Sequence, residues 1–254
     1  MKAMILSAGR GTRLGSLSQN CPKALVEVQG IPLLAGVISR LAQHGFREII
    51  INVHHLASQV VEFVNHFRER PGCAGLSLSI SMEEQLLDTG GGVQKATWFF
   101  DDGKPFLVHN VDVLTDLNLS RLMEFHLDSE ALATLAVRER ESSRYFLFDV
   151  LGSLCGWQAL QSKETRMARS VQGPVTSLSF MGIQIISPVL LQLLKASPPF
   201  SLVDAYLELV RDGQLIKAFR GDKARWIDLG RKENLNQAAE LFKPSFFTGL
   251  RSEL

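Results

Sequence analysis

Between positions 1 and 26 the chain carries Lys2, Arg10, Arg13 and Lys23 but neither aspartate nor glutamate, although the whole protein has a formal net charge of only +1. Gly9, Gly11 and Gly15 fall in the same stretch, directly after an apolar run at residues 3–6. Backbone N–H groups left bare by glycine, together with cations at a strand end, can converge on the oxygens of a phosphate-rich ligand. A solvated glycine-rich turn is the plainer reading of a lone Gly-x-Gly, but here two glycines, an arginine and the pair Pro22-Lys23 occur together. The stretch therefore reads as a phosphate cradle. It is neither of two common types. A dinucleotide fingerprint needs a third glycine where Leu14 stands, and no Gly-x4-Gly-Lys-Ser/Thr run exists in the chain.

One carboxylate far along the chain is a candidate to face that cradle. Asp112 follows the apolar run at residues 105–110, and a carboxylate just past the C-terminal end of a central strand lies where open α/β sheets bind ligands. Asp228 sits within Trp226-Ile227-Asp228-Leu229-Gly230, ahead of a helical pattern at residues 232–242, where taken alone it reads as a helix cap. A further segment, residues 83–92, ends in three consecutive glycines. These serve turn geometry or close approach of a ligand to backbone, or else form a flexible loop before a helix.

Periodicity identifies the elements that must carry these groups. Residues 3–6 read as the first strand and 27–30 as a turn. Pro32 suits the first position of a helix with Leu33, Leu34, Val37, Ile38 and Leu41 at helical spacing, ended by Gly45. Residues 48–53, EIIINV, read as a buried parallel strand, 56–70 as an amphipathic helix and 76–82 as a third strand. That rhythm predicts a doubly wound sheet. Beyond position 130 strands are expected at 131–137, 145–150 and 178–186, with a charged stretch at 152–174 forming an exposed lobe over a second substrate. Asp116 is expected to cap a helix starting near Leu117, and Ser201 one that Gly213 ends. His54 and His55 read as loop polarity, since adjacent histidines point apart.

The cradle resembles the signature of the sugar-1-phosphate nucleotidylyltransferases, L-x-A-G-x-G-T-R-L-x-P-L-T followed by P-K-x-L. Leu6, Ala8, Gly9, Gly11, Thr12, Arg13 and Leu14 carry the first part, and Pro22, Lys23 and Leu25 the second. Ser16 and Ser18 depart from it, standing where the family usually has Pro and Thr. Asp88, Thr89, Gly90 and Gly91 resemble the family's second nucleotide loop. Asn110-Val111-Asp112-Val113 resembles its N-G-D-V motif, with Val111 in place of glycine and less space expected on the sugar side. Phe180-Met181-Gly182-Ile183 resembles its sugar-contacting strand, and residues 226–230 its closing W-x-D-[IVL]-G.

The resemblance implies a three-layer, doubly wound, mostly parallel α/β sheet of the Rossmann-like nucleotidyltransferase kind, with a small sugar-binding lobe. It covers residues 1–242 as one catalytic domain and leaves 243–254 as a tail. It implies nucleotide contacts from Ala8, Gly9, Gly11, Thr12, Arg13, Lys23, Glu83, Thr89, Gly90 and Gly91, and sugar contacts from Asn110 and Gly182. Arg13, Lys23 and Asp112 would be catalytic, with Mg2+ held by Asp112 and Asp228. The implied substrates are a nucleoside triphosphate and a sugar 1-phosphate. Within the family the short length and the D-T-G-G-G loop look most like the N-acetylmuramate 1-phosphate uridylyltransferase group. A mannose-1-phosphate guanylyltransferase-like enzyme and a non-catalytic sensor of nucleotide sugars are the alternatives.

Composition excludes several other classes. At 254 residues and 46% apolar content the chain can bury a full core. No apolar run approaches the ~18 residues of a membrane span, and the N-terminus has no export-type segment, so no membrane association is expected. Cys21, Cys73 and Cys155 are odd in number and far apart, which favours a reducing cytoplasm over a disulfide or zinc framework. Near-neutral charge gives no basis for nucleic-acid binding, and a monomer or homodimer is expected.

Overall fold

The computed structural model describes residues 1–12, 20–231, 233–242 and 246. The chain divides into two compact units, the first comprising Met1–Leu86, His109–Leu117 and Arg225–Leu254, the second Leu87–Val108 and Asn118–Ala224.

The chain opens with β1 (Lys2–Leu6), the short hairpin β2 (Glu27–Val28) and β3 (Ile31–Pro32), and α1 (Leu33–Gln43). Next come β4 (Glu48–Val53), α2 (Ala57–Arg68) and β5 (Ser77–Met82), then α3 (Asp88–Lys95) and β6 (Phe106–Asn110), which leads from the second unit back into the first. β7 (Val113–Thr115) closes that return. The second unit continues with α4 (Leu119–Asp128), β8 (Ala133–Arg138), β9 (Arg144–Phe148), β10 (Leu154–Ala159), β11 (Glu164–Met167) and β12 (Thr176–Ile186). It ends with α5 (Val189–Leu193), α6 (Leu202–Arg211) and β13 (Ile216–Arg220), before β14 (Trp226–Asp228) and α7 (Glu233–Leu241) complete the first unit.

In the first unit β4 lies between β1 and β5, all parallel, with Leu6 opposite Asn52 and Asn52 opposite Ser81. Parallel strands covered by helices must be apolar on both faces. Ile49, Ile50 and Ile51 are accordingly fully buried. Helix α1 follows Pro32 and buries Leu33, Leu34, Val37, Ile38 and Leu41, the positions its spacing predicts. Helix α2 buries Val60, Val64 and Phe67. Residues 27–30, expected as a turn, form one strand and the turn of the β2–β3 hairpin, with Gln29 and Gly30 at φ +55° and +77°.

The second unit is largely antiparallel. Strand β12 pairs with both β8 and β9, β9 with β10, and β10 with β11, while β13 runs parallel to β8. The stretch 152–174, expected as an exposed lobe, contributes strands β10 and β11 to this sheet. Ser201 caps α6 by accepting from the Asp204 N–H at 3.1 Å, and Gly213 follows the helix at φ +83°. The cap expected of Asp116 belongs to Asn118, whose side chain accepts from the Arg121 N–H at 3.0 Å. Asp116 lies beside the β7–β14 pair and spends both oxygens there, on the Arg225 N–H and Nε at 2.7 Å each.

Candidate functional site

In the first unit the cradle starts where β1 ends. Residues 8–12 carry Ala8, Gly9, Gly11 and Thr12, with Gly11 at φ +64°, a conformation that a side chain would strain. Arg13, Gly15, Ser16 and Ser18 lie outside the described residues. Lys23 lies in a 3-10 turn over Lys23–Leu25, preceded by Pro22 at φ −63°. The Pro22 carbonyl accepts from the Leu25 N–H at 2.8 Å and the Lys23 carbonyl from the Val26 N–H at 3.2 Å. Ala24, the middle residue of the turn, is fully buried. Proline fixes the entry angle and the short turn supplies the rest.

Asp112 lies in the turn between β6 and β7, and Asp228 ends β14. The Val111 N–H donates to the Leu6 carbonyl at 3.0 Å, which sets the chain just after β6 beside the end of β1. Val111, in the family's glycine position, is itself buried. Asp112 follows, and its Oδ2 accepts from the Lys23 ammonium. Asp228 lies opposite Val113 in the antiparallel β7–β14 pair, and the Asp112 carbonyl accepts from the Leu229 N–H at 2.7 Å. Facing Cα atoms in such a pair are about 5 Å apart and successive ones about 3.8 Å, so the Cα atoms of Asp112 and Asp228 are within about 9 Å. Asp228 Oδ1 accepts from the Gly230 N–H at 2.6 Å, and the Asp228 carbonyl accepts from Asn234 Nδ2 at 2.6 Å, which fixes the loop into α7.

Carboxylates such as those of Asp112 and Asp228 are hard oxygen donors of the kind Mg2+ accepts alongside substrate phosphates and water. No group of three or more His, Cys, Asp or Glu side chains suited to a metal occurs among the described residues. As donor types, two carboxylates suit an open magnesium site better than a closed zinc cage.

Sequence reasoning passed over Asn52. Its Oδ1 accepts from the Ser7 N–H at 2.7 Å and its Nδ2 donates to Glu83 Oε1 at 2.7 Å. Asn52 and Glu83 are each 3% exposed. The Glu83 backbone is held as well: its N–H donates to the Val53 carbonyl at 2.8 Å and its carbonyl meets His54 Nδ1 at 3.0 Å. The available signal was a lone amide in the otherwise apolar run EIIINV, since a buried polar side chain must find partners. His109, at the end of β6, is buried and neutral, its acidity pushed to about 4 by lost hydration and its Nδ1 bonded to the Asn110 carbonyl at 2.8 Å.

Of the remaining expected site residues, Asn110 ends β6 in the first unit, and Thr89, Gly90, Gly91 and Gly182 belong to the second. The triple-glycine segment is not a loop: Asp88–Lys95 is helix α3. Its glycines answer to the protein's own backbone, because the Phe200 carbonyl accepts from the N–H groups of both Gly90 and Gly91, at 2.9 and 3.2 Å. A Cβ on Gly90 would lie 2.3 Å from the Phe200 ring, and one on Gly91 2.9 Å from Pro198. Thr89 Oγ1 accepts from the Leu202 N–H at 2.9 Å. The close approach expected of a ligand is made here by Phe200 of the chain itself. Gly182 lies in a bulge of β12, where pairing with β8 shifts between Phe180 and Gln184, and its φ of +77° explains the missing side chain.

A family model described as nucleotidyl transferase matches residues 2–148. The chain is 27% identical over 256 residues to a UTP–glucose-1-phosphate uridylyltransferase of Synechocystis sp., covering 94% of this chain and 62% of that protein. It is 42% identical over 122 residues to an N-acetylmuramate alpha-1-phosphate uridylyltransferase of Neisseria meningitidis, covering 47% of this chain and 50% of that one. The chain thus spans less than two thirds of either relative's length. In fold it is similar to a putative glucose-1-phosphate thymidylyltransferase from Bacillus anthracis, with TM-score 0.78, 17% identity and coverage of 97% and 98%.

Proposed function

The chain belongs to the nucleotidyl transferase family, and from that premise we propose that it transfers a nucleoside monophosphate from a nucleoside triphosphate to a sugar 1-phosphate, releasing pyrophosphate. The observation carrying this reading is the meeting of Lys23, Asp112 and the Asp228 strand beside the glycine cradle. The nucleophile is a phosphate oxygen already ionised at neutral pH, so no general base is needed. What the reaction needs is alignment of two anions and neutralisation of their charge.

Asp112 and Asp228 would hold Mg2+. When bound, it neutralises phosphate oxygens and stabilises the charge that develops on the leaving pyrophosphate. Lys23 serves the α-phosphate as a compact point charge, and the backbone at Gly9 and Gly11 supplies donors. Arg13 is assigned to the departing β- and γ-phosphates, on the motif alone and on the planar fork of its guanidinium. Thr89, Gly90 and Gly91 serve the nucleoside side by shaping α3, and Asn110 and Gly182 the sugar side.

For the finer assignment we infer uridylyl transfer to an N-acetylmuramate 1-phosphate-like acceptor, supported by 42% identity over 122 residues to the Neisseria relative. A soluble cytoplasmic enzyme making cell-envelope precursors fits that reading; among the described residues no helix is long and apolar enough to cross a membrane. The test is a grid of the four ribonucleoside triphosphates against several sugar 1-phosphates, scored by pyrophosphate release with and without EDTA. Release from UTP and N-acetylmuramate 1-phosphate that EDTA abolishes is the expected result. Release only from GTP and mannose 1-phosphate would replace the base and sugar assignment. A blank grid would leave the non-catalytic sensor in its place.

A further inference from the structure

We propose that Asn52 is a positioning residue for the phosphate cradle, and that Glu83 acts through it instead of touching the nucleotide. The proposal rests on the nucleotidyl-transfer reading above. It starts from the way three parallel strands end. Leu6, Asn52 and Ser81 are register partners at the C-terminal edge of β1, β4 and β5. Beyond Leu6 the chain must leave the ladder to form the cradle, and the Ser7 N–H loses its place in regular strand pairing. The Asn52 side chain takes that N–H with Oδ1 and reaches the other way with Nδ2 to the Glu83 carboxylate.

Both ends of this amide are specified. An N–H of the backbone can only donate, so Oδ1 must face Ser7, and Nδ2 must then face an acceptor, which the carboxylate supplies. Glu83 is held in turn by its own N–H on the Val53 carbonyl. The chain of bonds therefore runs from the backbone of β5's end to the peptide that opens the glycine loop. The Ser7 hydroxyl is buried without a hydrogen-bond partner among the described residues, so its N–H is the polar group that anchors this residue. Fixing the Leu6–Ser7 peptide plane sets the direction in which Ala8 and Gly9 leave the strand. Glu83 is 3% exposed, which suits a support for Asn52 better than a contact with a solvent-borne ligand. Fixed donors cost no reorganisation when charge develops on the phosphates, so losing the fixing bond is felt in the reaction even where the fold survives.

The experiment compares wild type, N52A, N52D and the exchanged pair N52D/E83Q, each first checked for folding by circular dichroism. Aspartate at position 52 can still accept from Ser7 but sets two carboxylates against each other. Glutamine at position 83 then restores a donor, with amide and acid exchanged. N52D and N52A are expected to lower kcat/KM for the triphosphate by about a hundredfold, the scale of an ångström-sized misplacement, with the KM for sugar 1-phosphate changed by less than about twofold. N52D/E83Q is expected to recover at least about tenfold of that loss. Should N52D not fold, N52S takes its place as the single variant, because serine is too short to reach Glu83.

Folded Asn52 variants with triphosphate kinetics within about twofold of wild type would overturn the positioning role. An exchanged pair no better than N52D would overturn the link through Glu83. Calorimetric titration with the triphosphates and Mg2+ separates this failure from that of the functional reading. If wild type binds none of them, the transferase reading falls and this proposal with it. If wild type binds one and the Asn52 variants bind it equally well, only this proposal falls.

Discussion

The ammonium of Lys23 is hydrogen-bonded to Oδ2 of Asp112, a residue 89 positions further along the chain, with the two side chains only 11% and 15% exposed. A cation that looked unpaired in sequence thus has an acidic partner in the fold, and both belong to the same reaction centre in the proposed chemistry. Removing one member of such a pair leaves the other uncompensated in a mostly dry setting. Lys23→Ala is expected to lower kcat by about a hundredfold, the scale of one preorganised donor. Steady-state assays at saturating substrates check this, and a loss under about threefold would remove Lys23 from the mechanism.

Asp228 should act on metal demand more than on folding. Asp228→Asn keeps an Oδ1 that can accept from Gly230, so the loop into α7 persists. One formal charge is lost toward the cation. The Mg2+ concentration for half-maximal pyrophosphate release should rise about tenfold or more, with a melting temperature close to wild type. An unchanged magnesium dependence would exclude Asp228 as a ligand.

Gly90 is expected to tolerate no side chain. Its Cβ would stand 2.3 Å from the Phe200 ring and 2.9 Å from the Phe200 carbonyl that accepts its N–H. Overpacking of this kind costs about 1–3 kcal/mol. Urea titration of Gly90→Ala should show that loss. Stability within about 0.5 kcal/mol of wild type would mean that Phe200 moves aside freely.

Stability should weaken in acid through two buried histidines. Burial pushes His109 and His126 down to about 4 from the ordinary 6.5. Ser187 Oγ donates to the Ala131 carbonyl, so it accepts from His126 Nε2, leaving Nδ1 to accept from Thr134; the neutral ring is satisfied on both sides. Between pH 6.5 and 4 the unfolded chain binds more protons than the native one. Their contribution is therefore complete above about 6.5 and is lost as pH falls toward 4, by up to about 1.4 kcal/mol per pH unit for each ring. Urea unfolding near pH 7 and pH 5 measures this, and His126→Gln should flatten the slope. An unaltered slope would assign the acid sensitivity to other groups.

What the sequence determined by itself is the repertoire of local elements and the residues equipped for phosphate chemistry. The EIIINV run is β4 to the residue, and Leu33 through Leu41 form the buried face of α1, because apolar periodicity and β-branching act over neighbouring positions. The glycines and cations of the first 25 positions were legible in the same way, as residue types suited to phosphate. Only tertiary structure decided which polar groups would meet. It gave Lys23 to Asp112, took Asp116 from its expected cap to Arg225, and set the Phe200 carbonyl on the glycines of α3. It also made Asn52 a bridge between strand ends. Hydrogen bonds and ion pairs act across a few ångströms of space whatever the separation in sequence, so their partners exist only once the strands have been laid side by side.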